Sequence, residues 1–191
     1  MRKLFKYLVL SVLAFTLISC EDNDNNTQQP NVDSNLWGTT YSHANLGAYP
    51  DIYSKYWVYA YNITDNPNVG LRLTGLYPQA RFFSFSIYND LKGEVIDGLD
   101  DVNVTPDDGC INPYNTTTDS TNNSFTIYLV KEGTDLSLLS NVKEENVCYF
   151  NDAVECVSIC LRQYLGEGEY GGVELPTIEG VDLTTGAIVD A

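Results

Sequence analysis

A single histidine, His43, limits what this 191-residue chain can do by side-chain chemistry. A zinc centre built from several imidazoles is impossible. A Ser-His-Asp arrangement must recruit His43, and no Gly-x-Ser-x-Gly elbow presents a serine to it. No catalytic residue and no metal ligand is assigned on this basis. Oxygen chemistry is better supplied: Asp97, Asp100, Asp101, Asn103, Asp107 and Asp108 crowd into a dozen positions. Hard oxygens at that density suit calcium, although the spacing is not that of an EF-hand loop. A nearer use lies in Arg81, which shares an alternating face with Phe83, Phe85 and Ile87 and needs a carboxylate if it lies at a core edge. Asp100 or Asp101 is the expected partner, in a structural ion pair. Arg162 poses the same question beside Ser158, Cys160 and Tyr164. Trp57, Tyr59 and Tyr61 form either a platform for stacking on sugar rings or the core face of a strand.

The elements that position these groups read as strands. Arg81 to Tyr88 alternates with period two, Asn89-Asp90 and Gly93 turn the chain, and Glu94 to Ile96 returns beside it. Tyr56 to Ile63 alternates as well, followed by the turn Asp65-Asn66-Pro67-Asn68 and by Val69, Leu71 and Leu73 on one face. Val102 and Val104 suggest a short edge strand, Phe125 to Val130 a further strand, and Val154 to Leu165 the last. Asp135 to Glu145, with Leu136, Leu139 and Val142 three apart, is the one stretch that predicts a short, marginal helix. Gly166 to Gly172 reads as a hairpin loop, because these glycines precede extended chain and match no phosphate-binding loop. Pro176 opens an extended tail. About seven strands punctuated by turns predict an all-β fold, an antiparallel β-sandwich of jelly-roll-like type with at most one short helix.

The N-terminus carries a different kind of signal. Arg2, Lys3 and Lys6 precede the apolar run Leu8 to Ile18, about half the roughly 20 residues that a spanning helix needs, so residues 1–19 read as an export signal. The run closes on Leu17-Ile18-Ser19-Cys20, which resembles the lipobox of bacterial lipoproteins and implies acylation of Cys20. Residues 20–35, rich in Asn, Asp and Gln, are expected to form a disordered tether. Glu21, Asp22 and Asp24 resemble the surface-export signal of Bacteroidetes lipoproteins, and Asp119-Ser120-Thr121 resembles the O-glycosylation motif of that phylum, at Ser120. Export places Cys110, Cys148, Cys156 and Cys160 where disulfides persist. Four cysteines allow three pairings. In an extended strand Cys156 and Cys160 stand about 13 Å apart, too far to bridge. A tight turn at Asn151 to Ala153 would set Cys148 opposite Cys156 and leave Cys110 with Cys160.

Residues 36–191 then form one domain of a chain that has 43% hydrophobic residues and a formal charge of −16 over its full length. That charge argues against nucleic acid, whose binding needs a basic surface. Three blocks, GLYPQARFFSFSIYND, GLDDVNVTPDDGCINPY and ICLRQYLGEGEYGGVELPTI, are similar to those of an uncharacterised bacterial family of exported all-β proteins. The shared pattern is a Pro-x-x-Arg-aromatic strand, an Asn-Pro-aromatic step and a Leu-Arg-x-Tyr strand. The resemblance implies an all-β fold, carries no established activity, and suggests that the domain is the N-terminal part of a longer architecture. The expected function is a lipid-anchored outer-membrane protein, surface-exposed or facing the periplasm, that binds a glycan or a protein partner and needs no cofactor. The alternative is a hydrolase with a carboxylate pair in a sandwich cleft.

Overall fold

The computed structural model describes residues 36–42, 52–117 and 121–191. The signal and tether segments, Cys20, His43 and Ser120 lie outside them. The described residues fall within the unit Asn31–Ala191 and form strands, with two short 3-10 turns and no α-helix among them. No helix among them is long and apolar enough to cross a membrane.

The strands, in chain order, are β1 (Thr39–Ser42), β2 (Ser54–Asn62), β3 (Val69–Leu76), β4 (Phe82–Asn89), β5 (Glu94–Asp100), β6 (Ser124–Lys131), β7 (Val147–Phe150), β8 (Cys156–Tyr164), β9 (Thr177–Asp182) and β10 (Ile188–Val189). They make two five-stranded sheets. Sheet I has the order β1-β2-β8-β4-β5 and sheet II the order β10-β9-β3-β6-β7. Pairing is antiparallel except between β6 and β7, which run parallel. The β4–β5 hairpin stands as expected, closed by a turn in which Gly93, at φ 65°, donates to the Asn89 carbonyl at 2.8 Å.

Alternation fills the space between the sheets. Phe83, Phe85 and Ile87 of β4, Trp57 and Tyr61 of β2, and Val157, Ile159 and Leu161 of β8 face inward from sheet I. Leu71 and Leu73 of β3, Phe125, Ile127 and Leu129 of β6, and Ile178 of β9 meet them from sheet II. Phe125 stacks on Phe83 with centroids 6.0 Å apart and meets Phe85 edge-on at 5.8 Å. Tyr77 wedges between Phe83 and Phe125, and its hydroxyl donates to the Val104 carbonyl at 2.6 Å. Fully burying one such aromatic contributes about 1.5–3 kcal/mol, so this layer dominates the fold.

The stretch read as a helix is instead two 3-10 turns, Leu136–Leu138 and Glu144–Asn146. A three-residue repeat is the 3-10 period, and Asn141 at φ 54° interrupts any longer helix. Leu136, Leu139 and Val142 still do a hydrophobic job. They cover the outer face of sheet II against Tyr128, Val130, Val147 and Val181, which buries β6 on both sides.

Three further expectations are corrected. Val102 to Val104 is a turn after β5 rather than a strand. The loop 166–172 crosses from β8 in sheet I toward β9 in sheet II, so it closes no hairpin. The tail after Pro176 forms β9 and β10, with β9 pairing along β3.

Candidate functional site

The expected ion pair does not form. Strand β4 begins at Phe82, so Arg81 precedes the alternating run and is exposed. Among the described residues the ion pairs are Arg72–Glu179, Lys131–Asp152 and Lys143–Asp108. Asp100 accepts from the amide and side chain of Asn103, and Asp101 from the amide of Val102. Burial raises the Asp101 pKa. Other acids of this region have local partners: Asp97 accepts from the Tyr149 amide, Asp108 pairs with Lys143, and Asp107 accepts from Ser124 at one oxygen while the other is buried without a partner. No group of three His, Cys, Asp or Glu converges among the described residues, so the calcium reading has no geometry behind it.

The aromatic platform and the disulfides are corrected too. Trp57 and Tyr61 are buried in the core, with Tyr59 stacked 6.3 Å from Tyr61 and packed against that cluster, so these three rings offer no surface shelf. Cys110, Cys148, Cys156 and Cys160 form no disulfide with one another. The pairing of Cys148 with Cys156 fails because β7 joins sheet II and β8 joins sheet I. Cys110 instead contacts Asn122 and Ser124, while Cys160 sits mid-strand in sheet I.

The Asn-Pro-aromatic step proves to be a clamp. Buried Asn112 donates to the carbonyls of Asp101 and Val104 at 2.7 and 2.8 Å and accepts from the Tyr114 amide at 2.8 Å. Asn146 makes an equivalent set, to both backbone groups of Thr105 and to the Thr126 carbonyl. These amides hold residues 101–114 together and tie Thr105 to β6.

What remains for chemistry is the outer face of sheet I. No described strand or 3-10 turn packs over it, in contrast to the covered outer face of sheet II. Alternation along β8 turns Leu161 and Gln163 inward and Cys160, Arg162 and Tyr164 outward. The register then places Tyr41, Tyr56, Arg162, Ser84 and Asp100 in one row across all five strands. The adjacent row runs Val58, Cys160, Ser86 and Gly98, and Tyr88 lies opposite Ser158 in the next. A β-carbon at Gly98 would lie 2.8 Å from the Phe85 carbonyl oxygen, so that position of the face stays bare.

Arg162 is the anomaly of this face. Its guanidinium carbon lies 5.4 Å from the centroid of the Tyr56 ring, a cation–π contact. Its Nε is buried with no hydrogen-bond partner. Asp100, in the same row, is two strands away, about 10 Å at the usual spacing of about 4.8 Å per strand. Arg72 provides the internal comparison: it lies mid-strand in sheet II, and Glu179 on the neighbouring strand takes its guanidinium at 2.7 Å. Of the three described arginines, Arg72 holds a carboxylate, whereas Arg81, exposed ahead of β4, and Arg162, whose Nε is buried, do not. Beside Arg162, burial pushes the Cys160 thiol up to about 11 despite the opposing guanidinium charge, and burial likewise raises Tyr88.

At one end of this face, Tyr53 packs tilted against Tyr164 at 6.3 Å. There a cleft of about 420 Å³ opens between Ile52, Tyr53, Ser54, Lys55, Gln163 and Leu165. Lys55 is spent on its rim, donating to the carbonyls of Gly168 and Glu169 at 3.0 Å. The period-two reading of β8 already placed Arg162 with Ser158, Cys160 and Tyr164. The rest of the face escaped it, because only the register of β2 and β4 against β8 supplies Tyr56, Ser84, Ser86 and Tyr88.

No family model matches the chain, and no curated protein matches it. Among solved structures it is similar to an uncharacterized protein from Burkholderia cenocepacia, at 10% identity and a TM-score of 0.48, covering 76% of this chain and 35% of that one. It is also similar to a protein from Vibrio parahaemolyticus, at 12% identity and a TM-score of 0.43, covering 68% of this chain and 31% of that one. The chain thus spans about a third of the length of these solved structures.

Proposed function

We propose that this chain is a lipid-anchored protein of the outer membrane, tethered through Cys20, whose sandwich is a glycan-binding module. The observation that carries the reading is the outer face of sheet I, where rows of tyrosine and serine surround an unpaired arginine while the opposite sheet is covered by its own chain. Sugars are recognised by hydroxyl and amide hydrogen bonds and by aromatic faces, and an open five-stranded surface can offer several of each. A protein partner fits less well. Stable protein interfaces have an apolar centre, and none of the most exposed large hydrophobics comes from the inner strands β2, β8 and β4. The resemblance of Leu17-Ile18-Ser19-Cys20 to a lipobox supports the membrane attachment. The test is a glycan array probed with the lipidated chain in detergent, beside the Tyr56→Ala and Tyr88→Ala variants. Binding that falls at least tenfold in both variants supports the reading; an array without a binder overturns it.

A further inference from the structure

Resting on that reading, we infer that the ligand carries one anionic group, the carboxylate of an acidic sugar within an otherwise neutral saccharide, and that this carboxylate seats on the Arg162 guanidinium. A guanidinium presents five N–H donors in a planar fork and accepts nothing. Arg162 forms no hydrogen bond and no ion pair with another described residue, and its Nε is already withdrawn from solvent. The group nonetheless has a fixed place, because the Tyr56 ring lies against it and β8 is paired on both sides by β2 and β4. A guanidinium held in position and left without a carboxylate is organised in advance for a planar, two-oxygen anion.

Its surroundings select the rest of the ligand. Ser84 and Ser86 on one flanking strand and the Tyr56 ring on the other bring hydroxyls and an aromatic face, the equipment for neutral sugar units. Charge sets the number of acids. A protein at −16 repels a polyanion at long range, and Arg162 is the lone cation of its row. One carboxylate is attracted locally; a string of them is opposed by the whole molecule. Phosphate or sulfate esters satisfy the fork equally in principle, so the probes below separate them from the carboxylate.

The experiment is isothermal titration of the lipidated chain in detergent with oligosaccharides carrying a single uronic or sialic acid, each beside its methyl ester and its sulfated counterpart. The acid is expected to bind at least tenfold tighter than the ester. Arg162→Gln should erase that difference while leaving binding of the ester in place, and Arg162→Lys should restore part of it. Arg72→Gln, which removes a cation from the other sheet, should leave the difference intact. Thermal melts of each variant keep a folding defect distinguishable from a lost contact. Equal binding of acid and ester, unmoved by Arg162→Gln, overturns this inference and leaves the glycan reading standing. A preference for the sulfated form overturns the carboxylate assignment. Absence of binding to every oligosaccharide overturns both, as does a concentration-dependent dimer that Arg162→Gln dissolves, which would make a second copy the occupant.

Discussion

At the scale of single residues, two arginines on opposite outer faces show how neighbours decide a role. Arg72 finds Glu179 across the strand and becomes part of the fold, while Arg162 finds Tyr56 and keeps its fork unused. The buried amides are the stronger structural devices. Asn146 satisfies three backbone groups at once, and its removal would strand the Thr105 and Thr126 polar atoms away from water. Asn146→Ala is therefore expected to cost about 3 kcal/mol, read from the urea midpoint; a change below about 1 kcal/mol would show that the clamp is dispensable. The thiols make a second prediction. Burial raises Cys148 to about 12 and Cys160 to about 11, so both stay protonated and inert at neutral pH while the protein is folded. Denaturation without reductant, with alkylation and mass analysis, should label all four cysteines of the domain. Protection of any pair would reveal a disulfide.

At the scale of elements, what the sequence made readable was local. Period two over Arg81 to Tyr88 grouped Phe83, Phe85 and Ile87, which do enter the core, and over Val154 to Leu165 it grouped Arg162 with Ser158, Cys160 and Tyr164, which the sandwich turns outward. Period three in Leu136, Leu139 and Val142 was visible too, but its geometry was misjudged, since a 3-10 turn and a short amphipathic helix share that spacing. Long-range pairing was not readable. Nothing near Cys148 signals that β7 pairs parallel with β6, so the disulfide argument failed on topology rather than on distance along the chain. Trp57 and Tyr61 were correctly a pattern, and the sandwich decided that the pattern was core. The candidate face was half legible for the same reason: one strand's outward residues follow from alternation, whereas its neighbours across the row follow from register. The Leu136 to Val142 cover carries its own prediction. Leu139 is 6% exposed beneath it, so Leu139→Ala should cost about 2–3 kcal/mol and expose Tyr128 and Val130. A melting temperature unchanged within error would mean that sheet II does not depend on its cover.

At the scale of the whole molecule, the two sheets have divided labour. Sheet II is sealed outside by its own chain and inside by the aromatic layer, whereas no described strand or 3-10 turn packs over the outside of sheet I. The buried phenols and thiols make the fold sensitive to base. Tyr61 is raised to about 12, and Tyr77 and Tyr114 are also raised, all chiefly by burial. A raised acid pKa means that the folded state holds its proton more tightly than the unfolded chain does. The contribution is complete below the unfolded values, about 8.5 for thiol and about 10 for phenol, and is lost as pH climbs toward the folded ones. Stability should therefore decline progressively above about pH 9, measured as the urea midpoint between pH 7 and pH 11. A flat profile across that range would contradict the burial of these groups.

The central claim is that the open face of sheet I, with Arg162 at its middle, is where this molecule meets its ligand. Hydroxyl-radical footprinting with a saturating single-acid oligosaccharide tests it most directly. The account predicts that Tyr56, Tyr88 and Tyr164 lose reactivity on binding while Leu136, Leu138 and Val142 do not change. Protection confined to the Leu136–Val142 cover, with the three tyrosines as reactive as before, would contradict it.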